Sequence, residues 1–127
     1  MTEDRLYLAH ILEAIQYIRD DAAAGHEAFM ADRRLRQLIF HNLQIIGEAT
    51  KQVSAEAKAH APHVPWRQIA GLRDALVHNY DGINPDRIWD IAENEIPRLE
   101  SAVKALLAIV EAGAEGPLPE HPDERDT

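Results

Sequence analysis

Residues 73–80 read Arg-Asp-Ala-Leu-Val-His-Asn-Tyr, placing a permanent cation, a group that titrates near neutrality and a phenol within eight positions. An arginine stays charged at any physiological pH and can fork two N–H groups onto a phosphate. An imidazole, with an ordinary pKa of about 6.5, can take or give a proton near pH 7. Arg73 and His78 are therefore a minimum set for cleaving an RNA backbone without a metal. One group would move the proton of a ribose 2′-hydroxyl, and the other would hold the charge gathering on the phosphate.

Spacing decides how such groups can meet. On a helix that continues to Tyr80, Arg73 and Tyr80 are seven apart and nearly in line. His78 is five from Arg73, about 140° around the axis. One chain would not easily aim both at one phosphate, whereas two chains around a twofold axis could each add an Arg and a His to a shared cleft. The plainer alternative is that Arg73 pairs with Asp74 or a nearby Glu. His78 would then cap the helix C-terminus, where a cation is favoured.

The elements that must carry these residues are helical. Leu8, Ile11, Ile15, Ile18 and Ala22 step by three and four, the mark of one apolar helix face. Thr2 is a plausible cap, Gly25 ends this first helix, and a loop or short turn is expected over His26–Ala31. A second helix is predicted from Asp32 to Val53. Its stripe of Leu35, Ile39, Leu43 and Ile46 is widened by Leu38 and Ile45, which suggests more than one neighbour or a second subunit. Ser54 suits the cap of a short helix ended by Pro62. Pro65 opens a third helix of about 14 residues with Ile69, Leu72 and Leu76 on its apolar face. Asn84, Pro85 and Asp86 form the start of a fourth, in which Pro97 predicts a kink. No strand is expected. The fold class is all-α, an up-and-down bundle of four long helices plus a short one over residues 1–111. Residues 112–127, with three prolines and no apolar period, read as a disordered acidic tail.

Composition bounds the possibilities further. With 127 residues, of which 46% are hydrophobic, the chain is sized for one globular domain. It has no cysteine, so disulfides and Cys-based zinc sites are excluded. No membrane span or secretion signal is expected, which fits a cytoplasmic location. The net charge of −9 argues against gripping nucleic acid by bulk attraction. Screening over roughly 8 Å nevertheless lets a local basic pocket act on an acidic body. Arg33, Arg34 and Arg36 are the densest basic cluster, able to track RNA or meet an acidic partner, and equally able to be a solvated helix face. His41, His60 and His63 lack a supporting carboxylate, so no metal site is expected.

The motif Arg-x-x-x-x-His-x-Tyr at residues 73–80 is similar to the signature of HEPN-domain toxins of the HepT type. Pro65–Leu72 before it, Asn42–Ala49 upstream, and Ile88-Trp89 and Glu95-Ile96-Pro97 downstream resemble that family's segments in the same order. The resemblance covers Leu6 to Leu107 and implies a HEPN-like homodimer with a composite active site. It implies that Arg73 and His78 are the catalytic pair of an endoribonuclease that leaves a cyclic phosphate and uses no cofactor. Asp74 would hold the guanidinium, although many relatives carry Asn there. The resemblance also implies a minimal nucleotidyltransferase antitoxin that attaches AMP to Tyr80, alone or within a larger hetero-oligomer. A rival is a non-catalytic docking subunit that presents nucleotide or substrate to a separate nucleotidyltransferase. A third is a purely structural dimer.

Overall fold

The apolar steps of the N-terminal segment become a helix because they give it one face to bury. In the computed structural model, which describes residues 2–78 and 82–115, helix α1 spans Thr2–Ala22. Leu8, Ile11, Ile15 and Ile18 are fully buried. Gly25 turns the chain at a φ of 98°, a conformation that a side chain disfavours. The following segment is not a loop. His26–Ala31 forms a short helix, α2, because Phe29 provides a fully buried anchor.

Helix α3 spans Arg33–Gln52 and is capped by Asp32, whose carboxylate accepts from the amides of Arg34 at 2.9 Å and Leu35 at 3.4 Å. Its buried stripe includes Ile39, Leu43 and Ile46. Leu38 and Ile45, expected to widen that stripe, remain 51% and 37% exposed. The buried Asp4 accepts from the amide and the hydroxyl of Ser54, both at 2.7 Å, tying the start of α1 to the end of α3. The two helices therefore run antiparallel. Ser54 also caps helix α4, Ala55–Lys58, by accepting from the Ala57 amide. Asp4→Ala removes two hydrogen bonds to a charged acceptor and should cost about 2 kcal/mol in urea unfolding.

Residues 65–78 were expected to form one long helix. They form two helices of five residues, α5 (Trp66–Ala70) and α6 (Leu72–Leu76), separated at Gly71. After Leu76 the backbone is extended, with Val77 at φ −102° and ψ 124°. Strand β1, Val77–His78, pairs antiparallel with β2, Gly82–Ile83, so that Val77 faces Ile83 and His78 faces Gly82. The amide of Asn84 donates to the Leu76 carbonyl at 2.8 Å, closing the loop. A two-residue ladder carries too little alternation to register in a sequence pattern. It also removes the premise that His78 continues the helix of Arg73, so the 140° separation does not apply.

The last helix starts as expected. The Asn84 side chain accepts from the Arg87 amide, and Pro85 occupies the first turn of α7, Pro85–Asp90. Five residues of π-helix, Ile91–Glu95, follow before α8, Ile96–Glu115. Here the Ile96 amide reaches the Ile91 carbonyl, five residues back. The widened turn lies just before Pro97, which has no N–H to give and crowds the carbonyl four residues earlier. Arg19, near the end of α1, bonds Glu100, near the start of α8, so these helices are also antiparallel. Trp66 and Trp89 both pack against the core, with Trp89 stacked near Phe29 at 5.2 Å. Helix α8 continues to Glu115, beyond the boundary expected at residue 111. The remainder of the acidic tail, 116–127, lies outside the described residues. Apart from the short ladder the described residues are helix and turn, and the fold is all-α. No described helix is long and apolar enough to cross a membrane.

Candidate active site

A glycine on α3 sets the position of the Arg73 helix. A Cβ added at Gly47 would lie 3.0 Å from the Ile69 carbonyl oxygen and 3.5 Å from that of Ala70. The backbone of α5 thus rests directly on α3, and Ile69, Leu72 and Leu76 turn into the core. Gly47→Ala would gain about 1 kcal/mol of helix propensity and lose about 1–3 kcal/mol to overpacking against rigid backbone. A net destabilisation is expected in thermal unfolding. Gly113→Ala, with nothing within 4 Å of the new methyl, should stabilise instead. The same substitution with opposite signs would separate packing from propensity.

With the apolar side of α6 buried, Arg73 and Asp74 project outward, their side chains 61% and 91% exposed. They form a loose ion pair at 3.7 Å, and pairs so exposed contribute little. At this distance Asp74 lies beside Arg73 without locking it. Both line a recess of about 50 Å³ together with Gln44, Glu48 and Lys51 of α3. These three polar residues were not singled out in the sequence as site residues. Their signal was a polar stripe at 44, 48 and 51 broken by Gly47, which is indistinguishable from a solvated face until α5 and α6 are laid against it.

The backbone of His78 lies in β1, two residues beyond the end of α6. Its side chain, and Tyr80 as a whole, lie outside the described residues. Arg33 and Arg34 are exposed at the opposite end of α3, about 20 Å along the axis from Glu48. Arg36 is committed elsewhere, donating to the carbonyls of Phe29 and Met30 at the end of α2. The basic cluster and Arg73 are thus not brought together within one chain. A larger groove of about 740 Å³ separates α5 and α6 from the π turn and α8. It is apolar along Ile69, Leu72, Ile91 and Leu99, and Arg73 is not among its lining residues. Among the described residues no group of three or more His, Asp or Glu is arranged to hold a metal ion.

An exposed guanidinium beside a polar recess can hold a phosphate. Comparison with known proteins identifies that class: the model of a family described as "Ribonuclease HepT-like" matches residues 11–106, from α1 to α8. The chain belongs to this family and is an RNA-cleaving hydrolase. It is 39% identical over 108 residues to "Putative RNase TTE0752" of Caldanaerobacter subterraneus subsp. tengcongensis, covering 84% of this chain and 96% of the other. It is 34% identical over 101 residues to "Probable ribonuclease HepT" of Thermococcus cleftensis, covering 79% and 92%. No solved structure matches the chain.

Proposed function

We propose that this ribonuclease is the toxin of a toxin–antitoxin pair, cutting RNA internally and without a metal through Arg73 and His78. The observation that carries this reading is the placement of Arg73 on an outward face of α6, where among the described residues it makes a loose pair with Asp74. The chain then leaves the helix at once to carry His78. In the reaction His78 takes the proton of the ribose 2′-hydroxyl. The freed oxygen attacks phosphorus, the bond to the 5′-oxygen breaks, and that oxygen leaves with a proton returned by the imidazolium or taken from water, leaving a cyclic phosphate. Arg73 holds the negative charge that accumulates on the phosphoryl oxygens in between.

The active species is a homodimer whose cleft combines Arg73 of one protomer with His78 of its twin. Leu38 and Ile45, seven apart on one face of α3 and exposed to water, support an unfilled contact on the helix that also lines the recess. Tyr80 is the control point. A minimal nucleotidyltransferase antitoxin directs the phenol oxygen onto the α-phosphorus of ATP, pyrophosphate leaves, and AMP remains on the tyrosine. The added charge and bulk beside the motif would repel RNA.

Expression with and without the partner enzyme tests this. The protein alone should arrest growth and degrade RNA in the presence of EDTA. Protein made with the partner should be inactive and heavier in steps of one AMP, mapping to Tyr80. Full activity of the modified protein would refute the control mechanism, and activity lost to EDTA would refute the metal-free chemistry.

A further inference from the structure

We propose that Lys51 is a second phosphate-binding residue of the site, taking a backbone phosphate of the RNA next to the one that is cut. The proposal rests on the reading of Arg73 as the scissile-phosphate ligand and extends it along the substrate. Its starting point is the recess between α3 and α6, where Lys51 and Arg73 are the two cations and Gln44 adds an amide. The close approach permitted by Gly47 is what brings these residues of separate helices to one depression.

Charge favours phosphate: the recess, about 50 Å³ and open to solvent, offers two cations and an amide to an anionic group. Each cation already has a carboxylate beside it: Lys51 lies 3.1 Å from Glu48, and Arg73 lies 3.7 Å from Asp74. The Lys51 and Glu48 side chains are 50% and 69% exposed, so their pairing is weak and a phosphate can displace the carboxylate. A chain of net charge −9 gains little RNA affinity from its overall field, so local cations must supply it. Arg33 and Arg34 are at the far end of α3, which leaves Lys51 as the lysine that shares the recess with Arg73.

Binding is measured on protein carrying His78→Ala, so that the readout does not depend on turnover. The probe is a short labelled single-stranded RNA, followed by fluorescence anisotropy over a range of salt. Adding Lys51→Ala should raise Kd about five- to tenfold for any sequence, as expected for a phosphate contact. It should lower the slope of log Kd against log salt by about 0.7, one phosphate contact on a single strand. Lys51→Arg should keep both values, and Lys104→Ala on α8 should change neither. In the otherwise native chain, Lys51→Ala should raise KM for RNA more than it lowers kcat. If Lys51→Ala binds like the Lys104→Ala control with the same salt slope, the subsite does not exist. Failure of the underlying mechanism would look different: cleavage would survive His78→Ala whatever Lys51 does.

Discussion

His78→Ala is expected to lower kcat for RNA cleavage by about 100- to 10,000-fold, the usual contribution of a positioned acid–base group. The fold should not change, because His78 contributes to the β1–β2 pairing through its backbone, opposite Gly82. Circular dichroism and thermal unfolding of the variant should therefore match the parent. Imidazole added to the buffer should restore part of the lost rate, since only the proton-transfer group is missing. A variant that folds normally and still cleaves at the native rate would remove His78 from the chemistry.

Arg73→Ala should cost about 100- to 1,000-fold in kcat, the range seen when a donor to a developing oxyanion is deleted. Its exposed position on α6 keeps the substitution clear of the core, and Arg73→Lys should recover only part of the rate. The proposed dimer makes a sharper prediction. Arg73→Ala and His78→Ala proteins should each be nearly inactive, but subunits mixed and reassociated should regain roughly a quarter of native activity. Random pairing makes half the dimers mixed, and each mixed dimer has one complete cleft of two. If both groups instead act within one chain, mixing restores nothing.

Helix α3 and the start of α7 were readable from the sequence because their ends are marked by chemistry that acts locally. Asp32, Ser54 and Asn84 each cap the helix that follows, as their side chains allow. The third segment was not readable. Ile69, Leu72 and Leu76 keep a helical spacing, yet the helix breaks at Gly71, just after backbone that lies against Gly47 of α3, far away in sequence. The α2 helix was missed for a similar reason, since six residues have little intrinsic stability and are held by the burial of Phe29. At the candidate site, Arg73, Asp74 and His78 stand out in the sequence as a motif with a spacing. Gln44, Glu48 and Lys51 do not, because a polar stripe becomes half of a recess only once another helix supplies the opposite wall.

The five π-helical residues ahead of Pro97 act as a phase adjuster between two halves of one rod. Upstream, Ile88 is buried and Trp89 packs near Phe29; downstream, Ile96, Val103 and Leu106 are seated in the interior beside α1. One surplus residue in the winding re-aims the second half by about 100° relative to uninterrupted α-helix. Shortening this chain by a single amino acid there would regularise the hydrogen bonding and still misdirect every downstream anchor. The irregular turn is thus the joint that lets one continuous helix satisfy two differently oriented halves of the interior.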